Sequence, residues 1–248
     1  IPVFNASMAP NGVVLVFTGA LLRMQDEAEL ALVLSHEFAH YRQRHSLQSW
    51  EKSKKTTAFL ATFGALTWAG GVGLAGQLAQ FAGLANLMQF SRDMEREADS
   101  QGFDAAVSQG YDPQAGVRLW KRMQNEEKAN ARAKYNPVFA SHPKSAERMA
   151  DVAAAAAMHA TGTGHTFQAR YDQATDPFVA HWLDQELSRR MYASSILVIG
   201  ELRATARQER YGLYEFYLAE AYRRRGLGND LAEADRLYAS AITRSQVP

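Results

Sequence analysis

His36 and His40 stand four residues apart with Glu37 beside the first, in Leu34-Ser35-His36-Glu37-Phe38-Ala39-His40. On a helix this spacing puts both imidazoles on one face, one turn apart. They can then grip one divalent ion, each at about 2.0–2.1 Å if the ion is zinc. Glu37 is placed to take a proton from the water such an ion activates. Three polar side chains in the most apolar part of a helix are costly to bury unpartnered, and a metal removes that cost. The alternative is a pair of core histidines that are merely hydrogen-bonded.

A second cluster lies in Ser91-Arg92-Asp93-Met94-Glu95-Arg96-Glu97-Ala98-Asp99. On a helix Glu95 and Asp99 share a face and Glu97 points elsewhere. Zinc hydrolases commonly combine two histidines with a carboxylate and leave the fourth position to water. Glu95 is the natural third ligand, and Asp99 can accept the second N–H of a ligating imidazole. The alternative is a solvated acidic face paired with Arg92 and Arg96. A third cluster, Ser141-His142-Pro143-Lys144-Ser145-Ala146-Glu147-Arg148, offers His142 and Arg148 as donors to the oxyanion formed when water attacks a peptide carbonyl.

The elements that must position these groups are mainly helical. Asp26 is the expected N-cap of the first metal helix, with Glu29 completing a box-like arrangement. Leu30, Leu34, Phe38 and Tyr41 recur at helical spacing, and neither Gly nor Pro interrupts from Asp26 to Trp50. The second helix opens at Ser91 and stops near Gly110. Residues 3–7 and 13–18 read as short strands around the Pro10-Asn11-Gly12 turn. An extended peptide can add to the edge of such a sheet near Val13–Phe17, with the Asn5 amide available to its main chain; a structural turn asparagine is the plainer role.

Between the two metal helices, residues 56–91 carry no charged residue or histidine. The stretch is long enough for one membrane span of about 20 apolar residues. Gly64, Gly70, Gly71, Gly73 and Gly76 crowd its middle, so a helical hairpin that covers the cleft fits better, with peripheral membrane contact as the alternative.

The His-Glu-Phe-Ala-His and Ser-Arg-Asp-Met-Glu-Arg-Glu-Ala-Asp strings together resemble the HtpX-like and CAAX-prenyl-protease family of zinc metalloendopeptidases, as does the lead-in Asn5-Ala6-Ser7-Met8-Ala9-Pro10-Asn11-Gly12. The resemblance covers about residues 1–150. It implies a gluzincin metallopeptidase fold, one Zn2+ per chain on His36, His40 and Glu95, and substrate backbone bound by Asn5. It also implies that His142 and Arg148 lie near the metal. In periplasmic members with TPR tails the residue matching His142 takes the fourth zinc position and holds the enzyme off, so His142 is either an inhibitory ligand or an oxyanion donor. His45, His159, His165 and His181 have no motif context and read as structural or surface residues.

After Arg148 an alanine run, Ala153 to Ala157, ends in Thr161-Gly162-Thr163-Gly164. The expected organisation is a metallopeptidase domain over 1–160, a linker over 161–176 and a helical, TPR-like region over 177–248. Phe178, Trp182, Leu183, Leu187 and Met191 mark one amphipathic helix, Ile196 to Leu202 part of another, and Leu218 to Ala241 the small/large pattern of a TPR pair. One such repeat cannot bury its own apolar face, so these helices must pack on the preceding pair, on the first domain or on a partner. The fold class is therefore α+β, mainly α with a small sheet.

With 248 residues, a net charge of +1 and no cysteine, the chain is neither a dedicated nucleic-acid binder nor a disulfide or thiol protein. Ile1 in place of Met suits a processed or trimmed chain that has lost its targeting information. The family resemblance implies a bacterial periplasmic or membrane-peripheral protein acting on unfolded or envelope proteins. The competing expectation is a chaperone or adaptor for envelope protein assembly that works through the TPR-like helices, its proteolysis latent. Intramembrane processing of prenylated proteins needs several spanning helices, which this chain lacks.

Overall fold

The computed structural model describes residues 2–53, 90–129, 142, 146–160 and 162–245. Apart from Phe90 and Ser91, the expected hairpin over 56–91 lies outside them, as do Ser141, Pro143, Lys144 and Ser145 beside His142. Among the described residues no helix is long and apolar enough to cross a membrane.

Strands β1 (Ala6–Met8) and β2 (Val14–Val16) form an antiparallel pair with Ser7 opposite Leu15. Phe17 N–H donates to Asn5 C=O at 3.0 Å and Ala9 N–H to Val13 C=O at 2.8 Å. Because antiparallel pairs alternate, Ala6 and Met8 turn their main-chain groups away from β2. The second extended run is shorter than its β-branched composition suggests. Helix α1 (Thr18–Arg23) already begins at Thr18, and Gly19 is buried against the main chain of Pro2 and Val3, where a Cβ would come within 2.5 Å.

Helix α2 (Glu27–Arg42) starts as its sequence dictates: the Asp26 carboxylate accepts from Glu29 N–H at 2.9 Å, and the Glu29 carboxylate reaches back to Gln25 N–H at 2.9 Å. It ends at Arg42, Arg44 takes φ 57°, and α3 (His45–Ser53) sets off separately. Phe38 and Tyr41 are exposed, contrary to the apolar stripe expected of them; the buried face carries Ala28, Glu29, Glu37, Ala39 and His40 instead.

Helix α4 (Arg92–Ser108), capped by the Ser91 hydroxyl, is the main partner of α2. The two cross at Gly102, where an added Cβ would lie 2.7 Å from the His36 nitrogen and 2.8 Å from its Cα. Helices α5 (Ala115–Ala129) and α6 (Ala146–Ala157) close the other side. Phe4, Ala20, Met24, Leu119, Met123 and Tyr171 form the core beneath the sheet. Tyr171 belongs to α7 (Gln168–Thr175), which packs on α2 and donates its hydroxyl to Leu21 C=O at 2.6 Å.

The remaining helices are α8 (Val179–Ser188), α9 (Tyr192–Thr205), α10 (Gln208–Arg225) and α11 (Asp230–Ser245). Their core, with Leu183, Leu187, Ile199 and Leu237 fully buried, takes in Leu22 of α1. Each such side chain contributes about 1.5–3 kcal/mol. Beside Leu22, the buried Arg23 guanidinium bonds Glu126 of α5 at 2.6 and 2.7 Å and the fully buried Glu186 of α8 at 2.9 Å. Ser194 of α9 completes this polar joint by bonding Glu126 at 2.5 Å. The C-terminal helices are thus fixed to α1 and α5 by apolar and ionic contacts together.

Candidate metal centre

Helix α2 brings His36, Glu37 and His40 to the crossing with α4, and α4 supplies Glu95 and Asp99. His142 enters from between α5 and α6. The Nε2 atoms of His36 and His40 are 3.0 Å apart, and His142 Nδ1 lies 3.3 Å from His36 Nε2. Glu95 Oε1 is 3.0 Å from His142 Nδ1 and 3.6 Å from His40 Nε2. One donor atom from each of these four residues lies within 4.8 Å of all the others. Donors at zinc distance on a tetrahedron are about 3.3 Å apart, so the four sit near the corners such an ion requires.

The donor chemistry fits as well. Asp99 Oδ1 is 3.0 Å from His36 Nδ1, which places the proton on Nδ1 and leaves a lone pair on Nε2 facing the cluster. Glu95 Oε2 is a buried acceptor without an aligned donor, although Arg148 lies 2.6 Å away as an ion pair. Glu95 is fully buried and His40 nearly so, whereas His36 and His142 keep some exposure. Phe90 stacks on the His40 ring with centroids 4.0 Å apart. Burial, followed by the neighbouring imidazoles, holds His40 neutral. A cation with nitrogen and carboxylate preferences is the group these side chains suit.

Glu37 sits at the edge of the cluster, its Oε1 3.4 Å from His142 Nε2. Burial pushes its carboxyl up, against the opposing pull of His142, His36 and the main-chain N–H of Met8. Arg148 lines the cleft beside the cluster, its guanidinium held by carboxylates. Its Nε and Nη2 bond Asp99 at 2.6 and 2.8 Å, and Nη1 pairs with Glu95. Burial raises the Asp99 carboxyl, but hydrogen bonds from Arg148 and His36 outweigh it and hold the group at about 2.

A cleft of about 790 Å³, counting its open mouth, adjoins the cluster. It is lined by Ala6 of β1 and Asn5 just before it, by His36, Glu37 and His142, and by Leu119, Trp120 and Met123 of α5. The strand beside the cleft is therefore β1, not the Val13–Phe17 stretch to which the sequence directs an added peptide. His45, expected to be structural or at the surface, is structural: its buried ring lies behind His40 with the two Nδ1 atoms 2.9 Å apart, and Glu97, off the Glu95 face as expected, is 3.3 Å from His45 Nε2. Only the break at Arg44 brings them there, and no periodicity announces it. Gly102, the crossing glycine, was likewise invisible without the partner helix.

Residues 1–156 match peptidase family M48. The mitochondrial metalloendopeptidase OMA1 of Schizosaccharomyces pombe is 38% identical over 152 residues, 60% of this chain and 42% of that protein. The putative beta-barrel assembly-enhancing protease of Vibrio cholerae is 34% identical over 155 residues, 59% of this chain and 31% of that protein. The Bos taurus metalloendopeptidase OMA1, mitochondrial, is 31% identical over 160 residues, 59% of this chain and 29% of that protein. The chain spans less than half the length of these curated relatives. With the family match covering the sheet, both metal helices and the Arg148 helix, the chain belongs to peptidase family M48.

Proposed function

We propose that this chain is a zinc-dependent endopeptidase acting on unfolded or envelope polypeptides. The carrying observation is the convergence of His36, His40, Glu95 and His142 with Glu37 at their edge. Zinc held by His36, His40 and Glu95 supplies a Lewis acid that polarises the scissile carbonyl and acidifies the attacking water. Glu37, at the edge of the cluster, would take the proton from the attacking water and deliver it to the leaving amine. Asp99 orients His36, and Arg148 balances the charge of Glu95 and Asp99.

The substrate main chain lies along the outward edge of β1, within reach of Asn5, and an apolar side chain enters the cleft lined by Leu119, Trp120 and Met123. His142 would fill the fourth position of an ion held by His36, His40 and Glu95, which supports reading it as an inhibitory ligand that must withdraw before turnover. By analogy with the beta-barrel assembly-enhancing protease, the setting is the bacterial periplasm or a membrane periphery, and α10–α11 form a TPR-like element for a protein partner.

The test is Glu37→Gln. Zinc content and melting temperature should stay at the wild-type level, while cleavage of casein falls about 100- to 10,000-fold. Casein turnover at the wild-type rate by the variant rejects the assignment.

Exposure of Leu227 and Leu231, at 64% and 61%, favours a second reading as an adaptor with latent proteolysis. In that case Glu37→Gln complements a deletion strain and Leu227→Asp with Leu231→Asp does not.

A further inference from the structure

We infer that His45, backed by Glu97, is a positioning residue that sets the tautomer and ring orientation of His40; this rests on the zinc-site reading above. In an unbroken helix residue 45 falls five positions past His40, about 140° around the axis, on a face turned away. The chain does not run on. Gln43 N–H closes on Ala39 C=O and Arg44 N–H on Tyr41 C=O, both at 3.0 Å, and Arg44 adopts φ 57°. That reversal starts α3 with the His45 ring behind His40, centroids 5.0 Å apart and planes at 71°. Both side chains are buried, each 2% exposed or less.

The proton order follows from the outside inward. Glu97 Oε2, 3.3 Å from His45 Nε2, only accepts when ionised, so it draws the His45 proton onto Nε2. His45 Nδ1 is then a lone pair, and at 2.9 Å it accepts the Nδ1–H of His40. His40 Nε2 is left with its lone pair toward His36 and Glu95, as ligation requires. The two ligating histidines are thus supported differently. His36 leans on the carboxylate of Asp99, whereas His40 leans on a neutral imidazole. A neutral acceptor fixes the ring without adding a negative charge to a buried pocket that already holds Glu37, Glu95 and Asp99. Glu97, half-exposed, keeps its own charge toward solvent.

The inference is tested on the full chain with zinc affinity from chelator competition, the visible spectrum of the Co2+-substituted protein, and nitrogen NMR of the histidine rings. Histidine NMR of the wild-type chain should find the His40 proton on Nδ1; the opposite tautomer overturns the inference without any variant. His45→Leu should weaken zinc binding about 10- to 100-fold and alter the Co2+ spectrum. His45→Asn, whose amide oxygen can stand where Nδ1 stood, should recover most of that affinity. Wild-type zinc affinity in His45→Leu, or an Asn variant as weak as the Leu variant, overturns the positioning role. A wild-type chain that binds no zinc instead removes the proposed function itself, so the two failures are distinct.

Discussion

Gly102 of α4 faces the main chain of His36 so closely that a methyl group there would lie 2.7 Å from the His36 nitrogen. Everything α4 contributes to the site, Glu95 and Asp99 included, depends on this approach. Gly102→Ala must push the helices apart or strain both, an overpacking cost of about 1–3 kcal/mol. The variant should melt at a lower temperature and bind zinc more weakly, as read by calorimetry and metal analysis. Unchanged zinc binding would mean that the crossing can relax without moving Glu95.

His142→Ala separates the two roles open to that imidazole. As an inhibitory ligand its loss should raise casein cleavage several-fold while His36, His40 and Glu95 retain zinc. As an oxyanion donor its loss would lower the rate. With Nδ1 at 3.3 Å from His36 Nε2 and 3.0 Å from Glu95 Oε1, the expected outcome is the rise.

Arg23→Met removes the cation from the joint between α1, α5 and α8 and leaves Glu186, fully buried, with Arg189 and the Ser195 hydroxyl, and Glu126 with Ser194. Breaking a buried pair by deleting one partner costs about 3–5 kcal/mol. Urea melts should shift accordingly, and limited proteolysis should cut first between α7 and α8. A shift below about 1 kcal/mol would rank the joint with surface pairs.

Glu220 ties α10 to α11 by accepting from Arg223, Arg224 and the Tyr238 hydroxyl. The Arg223 bonds first, with Tyr238 and Arg224 and against burial, hold its carboxyl down at about 2. A carboxyl depressed in the folded state stabilises fully above its unfolded value of about 4.3 and loses that contribution as pH falls toward 2. The melting-temperature difference between wild type and Glu220→Gln should therefore be constant above about pH 5 and shrink as acid is added. A difference that grows on acidification contradicts the assignment.

The centre was legible in the sequence where it rests on regular helix. His36 and His40 share a face by periodicity, and so do Glu95 and Asp99; capping by Asp26 and Ser91 marks where those helices begin. The C-terminal helices announced themselves through Trp182, Leu183 and Leu187 in the same way. What was missed depends on irregular backbone or on a partner surface. Nothing in Arg42-Gln43-Arg44 signals a left-handed residue, since neither Gly nor Asn stands there, so the turn that carries His45 behind His40 was not announced. The ion pairs of Arg148 with Glu95 and Asp99 were not legible because those carboxylates come from a helix about 50 residues earlier. Which strand borders the cleft depended on how the sheet sits over α2, and alternation along a strand does not specify that.

The stacking of Phe90 on His40 bears on time as well as geometry. Among the described residues, one ligand is capped by an aromatic ring and Glu95 is buried, which leaves His36 and His142 as the more exposed members of the cluster. If His142 is the inhibitory ligand proposed above, a bound ion would leave past the same side chain that opens the site, and the resting protein should keep that ion through prolonged dialysis.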